Sequence, residues 1–198
     1  MRSWCLAEQR TYHAWPCLEN SSFFHLRRLR QLRGVICHST MQRLVSALVL
    51  SRLDYCNAVL SGLPCTTLDS LRRFLNAAVR LIAGLGTRDH VTEVTKQMKE
   101  FHWLPMKYCM KFKLCLIMHA AVTGQCPQNI RDIVHPLSTL PRRNRIRAAT
   151  SGQFDIPWTT TVSGERVFSV AGPHEWNTLP QDIADITNRG AFKRDILL

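Results

Sequence analysis

The sequence lacks any long apolar run. Its longest nearly apolar stretch, Leu114 to Val122, is interrupted by His119 and is far shorter than the roughly 20 residues that a membrane-spanning helix requires. The N-terminus, Met1-Arg2-Ser3-Trp4-Cys5, also lacks the apolar segment of a secretory signal peptide. No membrane contact is therefore predicted, and we expect an intracellular protein, without a choice between nucleus and cytoplasm.

Motifs that mark common enzyme classes are missing as well. Gly84 and Gly86 are the closest approach to a glycine-rich phosphate loop, but the third glycine, the lysine and a preceding strand are absent. The Gly-x-Ser-x-Gly sequence of many hydrolases does not occur. No two carboxylates are adjacent in the chain, as they often are where two magnesium ions are held. The sequence therefore predicts neither an active site nor a cofactor.

The eight cysteines and eight histidines do not form a metal-ligand pattern. No two cysteines stand two or four residues apart, and the nearest candidate pair, Cys115 with His119, is typical of ordinary packing on one side of a helix. His119 is expected to be a core histidine and not a catalyst. We predict reduced, mostly buried thiols and no metal site.

Positive charge dominates the composition and is unevenly distributed. The 198 residues include 26 Lys and Arg against 14 Asp and Glu, a net charge of +12, while 45% of the chain is hydrophobic. This combination is typical of a folded basic protein. Residues 101–150 carry 8 basic and 1 acidic side chain, whereas residues 151–198 carry 4 and 6. Residues 101–150, the third quarter of the chain, and the arginines near residue 30 are predicted to contact a polyanion. The alternative is that the positive charge only keeps the protein soluble.

Apolar periodicity, polar caps and glycine or proline stops predict a helical protein. The predicted helices run from about residue 20 to Gly34, from Ser39 to Leu60, from Thr67 to Gly84, from Val91 to Lys99, from Pro105 to Thr123 and from Gln128 to Val134, with a last helix ending at Leu198. The buried side of the second helix is predicted to include Ala47. Two short β-prone runs, Phe154 to Trp158 and Arg166 to Val170, and a turn-rich link, Pro173 to Pro180, are predicted before the last helix.

Two groups of arginines are candidate nucleic-acid contacts. The first lies opposite the apolar stripe of the third helix and comprises Arg72, Arg73 and Arg80. Guanidinium groups at this spacing can bridge successive phosphates; the alternative is an ordinary solvated helix face. The second group has four arginines within six residues, which predicts an exposed basic arm. Its members are Arg142, Arg143, Arg145 and Arg147.

A series of short phrases, in a fixed order, carries a resemblance to a known family. The phrases are Phe24-His25-Leu26-Arg27, Ser51-Arg52-Leu53-Asp54-Tyr55-Cys56-Asn57-Ala58, Ser61-Gly62-Leu63-Pro64, Asn76-Ala77-Ala78-Val79-Arg80-Leu81-Ile82, Asp89-His90-Val91-Thr92, His102-Trp103-Leu104-Pro105, Phe168-Ser169-Val170-Ala171-Gly172-Pro173, Trp176-Asn177-Thr178-Leu179-Pro180 and Phe192-Lys193. In this order and spacing, residues 20–198 resemble the region that follows the polymerase core in LINE-type (non-LTR) retrotransposon reverse transcriptases, which are RNA-directed DNA polymerases.

The resemblance implies a helical thumb and a C-terminal segment that pack beside the polymerase palm and help to hold the template–primer duplex. Its implied partners are RNA or an RNA–DNA duplex and a palm domain. The palm, with its paired aspartates and magnesium, has no counterpart in this sequence, so no catalytic residue is carried over.

The predicted fold is mainly α. We divide the chain into an unassigned lead segment, residues 1–20, a helical thumb-like bundle, residues 21–136, and residues 137–198, which hold the basic arm, a small irregular β-containing appendage and the final helix. The resulting hypothesis is a non-catalytic fragment of a transposable-element reverse transcriptase with weak, sequence-tolerant binding of RNA or an RNA–DNA duplex. Two alternatives remain open: a translated remnant without a function, and a module adopted for protein–protein interaction.

Overall fold

The computed structural model of the chain describes residues 23–55, 57–63, 65–86, 88–139 and 152–197. Helices dominate these residues, which confirms the predicted mainly α fold. Numbered in chain order, the α-helices are α1 (residues 23–32), α2 (His38–Val45), α3 (Ser51–Tyr55), α4 (Cys65–Ala83), α5 (Val91–Glu100), α6 (Met106–Val122), α7 (Gln128–Arg131), α8 (Val162–Glu165), α9 (Phe168–Asn177), α10 (Gln181–Ala184) and α11 (Arg189–Asp195). No helix in this part of the chain is both long and apolar enough to cross a membrane.

The chain forms two compact units. It passes from the first unit to the second at Asn57, returns to the first at Pro64 and enters the second again at Lys107. The first unit is therefore built from α1 to α5, and the second from α6 to α11 together with the 3₁₀ turn Asn57–Leu60.

α1 and α4 pack against each other in the core of the first unit. The Phe23 and Phe74 rings meet edge to face at 5.1 Å, near the start of α1 and the middle of α4. Directly after both helices, the Arg33 side chain lies against Gly84. Because residues 23 and 33 contact residues 74 and 84 in turn, the two helices run side by side in the same direction for about 15 Å.

The sequence pattern of α4 correctly predicts its end and most of its buried side. Five residues of the predicted apolar stripe are buried, namely Leu71, Leu75, Ala78, Val79 and Ile82, whereas the sixth, Leu68, is half-buried. Phe74 and Leu81, which the stripe did not include, are buried as well. Gly84 ends the helix with a positive φ of 79°, and the backbone N–H groups of Gly84 and Leu85 both donate to the Arg80 carbonyl. Such a left-handed residue satisfies carbonyls that the helix end leaves free, and glycine adopts it without steric cost.

The helix predicted from Ser39 to Leu60 is a succession of α2, a π-helical turn over Ser46–Leu50, α3 and the 3₁₀ turn. Through α2 and the π turn, buried residues recur at every fourth position, namely Met41, Val45 and Val49. The prediction that Ala47 is buried is wrong, because Ala47 is two residues from both Val45 and Val49 and therefore lies on the opposite, exposed side of the helix.

Four aromatic rings form a column in the core of the second unit. His119 stacks on Phe192 with 4.3 Å between ring centroids, Phe192 stacks on Trp176 at 5.8 Å, and Trp176 meets Phe154 edge to face at 6.3 Å. His119 is 1% exposed, and its Nε2 lies 2.8 Å from the Ile186 carbonyl oxygen. A carbonyl only accepts, so the imidazole proton is on Nε2. The prediction of a core histidine is confirmed.

α9 overturns two predictions about the C-terminal third. The run from Arg166 to Val170 is not a β segment, since its last three residues begin α9, and most of the predicted link after Pro173 is helical, since Pro173 to Asn177 end α9. Close packing on α6 explains the difference: a Cβ at Gly172 would lie 2.9 Å from the Phe168 ring and 3.0 Å from Met118 Sδ. Burial of this face offsets the poor helix propensity of the glycine and the internal proline.

The β-containing appendage is reduced, within the described residues, to one isolated antiparallel bridge between Pro136 and Phe154. Leu137 N–H donates to the Gln153 carbonyl at 3.0 Å, and Asp155 N–H donates to the His135 carbonyl at 2.8 Å. Pro136 occupies the position between these two bonds, where the missing N–H of a proline is not needed. The predicted β appendage is thus a single bridge rather than paired strands.

Asn177, the last residue of α9, holds the other edge of this bridge. Its Oδ1 accepts from Phe154 N–H at 3.0 Å, and its Nδ2 donates to the Phe154 carbonyl at 2.9 Å. Phe154 is buried, so its peptide groups need partners inside the protein. One side chain therefore replaces a neighbouring strand and fixes residue 154 to the aromatic core.

We expect Asn177→Ala to lower the free energy of unfolding by about 2 kcal/mol, because it leaves two buried backbone groups without partners. Urea denaturation followed by tryptophan fluorescence measures the change, since Trp176 packs on Phe154. Asn129→Ala, at an exposed position on α7, is the matched control and should stay within about 0.5 kcal/mol of the parent protein. Equal stabilities of the two variants would contradict this account.

Candidate nucleic-acid interface

The first unit has an arginine-rich surface on α1 and α4, which we call the basic helix pair. It comprises Arg27, Arg28, Arg30, Arg33, Arg72, Arg73 and Arg80. Asp69 is the one carboxylate within the two helices. Since α1 and α4 are parallel neighbours, these charges are spread over a surface about 15 Å long, which suits an extended polyanion.

The α1 side of the pair presents its arginines to solvent. Leu26 and Leu29 are buried in the core, and Arg27, Arg28, Arg30 and Arg33 are all exposed. The Arg28 guanidinium lies 5.5 Å from the centroid of the Phe24 ring, which restricts its side chain through a cation–π contact. The sequence analysis did not name these four arginines as candidate contacts one by one. It predicted only that the arginines near residue 30, as a group, meet a polyanion.

The α4 side contains the three arginines predicted from the sequence, in different environments. Arg72 and Arg73 are exposed. Arg72 forms an ion pair of 3.0 Å with Asp69, and Arg73 Nε donates to the Asp69 carbonyl at 3.3 Å. An exposed pair of this kind contributes about 0–1 kcal/mol, so a phosphate can compete with it.

Arg80 is engaged within the protein. It is half-buried, and its Nη2 donates to the Asp89 carbonyl at 3.3 Å, across the loop between α4 and α5. Its Nε is buried and has no hydrogen-bond partner among the described residues. Arg80 therefore fixes the loop after α4, and less of its guanidinium is available to a ligand than in Arg72 or Arg73.

The predicted basic arm, Arg142, Arg143, Arg145 and Arg147, lies outside the described residues. The described residues nearest to it in sequence, Thr139 and Gly152, follow and precede the bridge between Pro136 and Phe154.

Lysine charge on α6 is partly used within the fold. Lys111 Nζ forms an ion pair of 2.7 Å with Glu175 Oε2 on α9. The glutamate side chain is only 14% exposed, so the pair helps to join these two helices. The third quarter therefore offers fewer free cations than its sequence suggests.

Thiols and histidines do not create a metal centre in the described part of the chain, where no group of three potential ligands from His, Cys, Asp and Glu comes together. The expectation of buried thiols is confirmed for Cys115, whereas Cys37 is exposed and Cys109 and Cys126 are half-buried. Cys37 precedes α2, and its Sγ lies 3.4 Å from Ser39 Oγ and 3.1 Å from Thr40 Oγ1.

Cys37 is expected to react with iodoacetamide at neutral pH. Hydrogen bonds from Ser39 and then Thr40 lower the pKa of its thiol to about 7, because they stabilise the thiolate. Burial, with a smaller contribution from the charge of Glu175, raises the pKa of Cys115 to about 12. Peptide-resolved mass spectrometry should give a labelling rate for Cys37 that rises to a plateau with a midpoint near pH 7, while Cys115 stays unlabelled.

The double variant Ser39→Ala/Thr40→Ala removes both hydroxyls and should move the Cys37 midpoint upward, toward the ordinary thiol value. A midpoint that is the same in the parent and the double variant would contradict the role of these hydrogen bonds.

Comparison with known proteins supplies no relative, since no protein-family model, curated protein or solved structure matches this chain. The resemblance to LINE-type reverse transcriptases stays a prediction that depends on its sequence phrases.

Proposed function

We propose that this chain is a non-catalytic C-terminal segment of a LINE-type reverse transcriptase, and that it binds RNA or an RNA–DNA duplex weakly and with tolerance for sequence. The observation that carries the proposal is the basic helix pair, in which two parallel helices hold six arginines and one carboxylate, and a seventh arginine, Arg33, directly follows α1. A mainly helical fold is also what the resemblance implies for a thumb region.

Backbone recognition is the mode of binding that these side chains favour. A planar guanidinium donates two parallel hydrogen bonds to a phosphate, and contacts of this kind position a nucleic acid without reading its bases. Arg27, Arg28 and Arg30 on α1 and Arg72 and Arg73 on α4 are exposed, so their guanidinium groups are open to such contacts. The predicted basic arm is a separate group of four arginines in the sequence.

Binding to an RNA–DNA duplex should fall steeply with salt, because each neutralised phosphate releases condensed counterions. If about four phosphates are contacted, a plot of log K against log salt concentration has a slope on the order of −3 to −4. Fluorescence anisotropy with a labelled RNA–DNA duplex, between 50 and 200 mM salt as a rough range, measures the slope. An affinity that does not change over this range would refute the proposal.

Two charge-removal variants assign the contacts, and a third is their control. We expect the triple variant Arg27→Ala/Arg28→Ala/Arg30→Ala and the quadruple variant Arg142→Ala/Arg143→Ala/Arg145→Ala/Arg147→Ala each to weaken binding and to reduce the slope, by about 1 per lost phosphate contact. The control, Arg189→Ala/Lys193→Ala/Arg194→Ala, removes three exposed charges from α11.

The control variant distinguishes local contacts from net charge. It lowers the total charge as much as the α1 variant does, but it should leave the affinity nearly unchanged. If it weakened binding as much as the α1 variant, attraction would be a property of total charge, and the basic helix pair would not be a site.

A further inference from the structure

The solvent-facing side of α1 carries an aromatic ring among its arginines. Residues three or four apart share one side of a helix, so Phe24 has Arg27 and Arg28 as neighbours, opposite the buried Leu26 and Leu29. Phe24 is 54% exposed. Single exposed apolar residues are common and need no partner, but this ring lies at the centre of a basic helix side, where cations are the adjacent groups.

Contacts on both sides of Phe24 hold its ring in place. The preceding residue, Phe23, packs edge to face on Phe74 in the core and fixes the first turn of α1. The His25 ring meets the Phe24 ring at 5.7 Å between centroids, and the Arg28 guanidinium lies 5.5 Å from the Phe24 centroid. Because the ring already has a defined orientation, little side-chain freedom is lost when a ligand stacks on it.

The sequence around this ring contains no carboxylate. From Phe23 to Leu53 there is no aspartate or glutamate, and Arg27, Arg28 and Arg30 are exposed. The arginines of α1 therefore have no acidic partner within their helix, and their positive potential acts on a ligand at the ring. An anionic ligand with an apolar face is complementary to both features.

The other half of the basic helix pair lacks this combination. On α4, Arg72 and Arg73 are exposed beside Asp69, which pairs with Arg72 at 3.0 Å. The one aromatic residue in the sequence of α4, Phe74, is buried in the core. α4 thus offers phosphate contacts alone, whereas α1 offers phosphate contacts and an open aromatic surface.

Single-stranded nucleic acid is the ligand whose chemistry matches the α1 side. Its unpaired bases stack on aromatic rings and on arginine guanidinium planes, and its backbone is a polyanion. Residues three or four apart on a helix have Cβ atoms about 5–6 Å apart, so the long side chains of Arg27 and Arg28 can reach the phosphates of a nucleotide whose base lies on Phe24. The bases of a duplex are already stacked on one another, so a duplex contacts only the arginines.

We propose that Phe24 is a stacking platform for one unpaired base of a single-stranded nucleic acid whose adjacent phosphates are bound by Arg27 and Arg28. This inference rests on the proposed nucleic-acid binding and adds to it a contact that a duplex does not make. It also separates two roles: the arginines provide affinity that falls with salt, and the ring provides affinity that does not depend on salt.

The test uses the full chain and two labelled probes of about 12 nucleotides, an oligo(U) RNA and an RNA–DNA duplex, a length within the sites of about 4–16 nucleotides that stacking surfaces cover. Phe24→Leu keeps an apolar side chain but removes the aromatic face. It should weaken oligo(U) binding about 10-fold, as expected for the loss of one stacked base, and should leave duplex binding nearly unchanged. Phe24→Tyr keeps the aromatic face and should retain the parent affinity for both probes.

Leu32→Ala is the matched control, because Leu32 is an apolar residue of the same helix and is 46% exposed but has no ring to stack. It should bind oligo(U) like the parent. The salt dependence is a second readout, since single strands contribute about 0.7 to the slope per phosphate. The triple variant Arg27→Ala/Arg28→Ala/Arg30→Ala should reduce the oligo(U) slope by up to about 2, whereas Phe24→Leu should lower the affinity without changing the slope.

The outcomes separate this inference from the proposed function. If the parent chain binds neither probe, both are wrong. If the parent binds both probes with the expected salt dependence but Phe24→Leu binds oligo(U) like the parent, only the stacking role is wrong. An equal loss for Phe24→Leu and Leu32→Ala would also overturn it, because this side of α1 would then be an apolar docking surface for a protein or a membrane.

Discussion

The second unit depends on a column of aromatic rings that its sequence distributes over 74 positions, from His119 on α6 to Phe192 on α11. Trp176 on α9 continues the column, and Phe154 closes it. Aromatic rings bury large apolar areas, and offset or edge-to-face contacts between them stabilise a fold beyond what the buried area alone contributes. Each ring comes from a different element of the chain. The position of each element therefore depends on the positions of the other three.

This constraint explains why an irregular segment has a defined path. Residues 152 to 160 form no helix, and a loop without regular structure leaves its peptide groups in need of partners. Phe154 inserts into the aromatic column, Asn177 binds its peptide groups on one edge, and the chain at His135 and Leu137 binds its neighbours on the other. The defined path of this segment is a consequence of this one buried residue.

Local signals in the sequence predicted much of the fold and less of the site. The apolar stripe of α4 and its stop at Gly84 follow from spacing and glycine chemistry within one helix, and both are confirmed. The π turn at Ser46–Leu50 and the helical conformation of Gly172 depend on packing against other elements. The local sequence of a single helix carries no information about that packing. The resemblance named Asn177, but its two bonds join positions 23 residues apart and could not be derived from spacing.

The number of positive charges overstates the number of contacts that a polyanion can make. Arg80 bonds to the Asp89 carbonyl, Lys111 is paired with Glu175, and Arg33 lies at the carboxyl end of α4. At that end the helix dipole is negative, so a cation there already stabilises the fold. Each of these groups would have to give up its contact with the protein in order to bind a phosphate. The loss of that contact offsets part of the binding free energy that the phosphate contributes. On α1, where exposed arginines alternate with buried leucines, Arg27, Arg28 and Arg30 have no acidic neighbour in the helix. Location relative to internal partners, more than the net charge of +12, therefore determines which arginines are available for the proposed nucleic-acid binding.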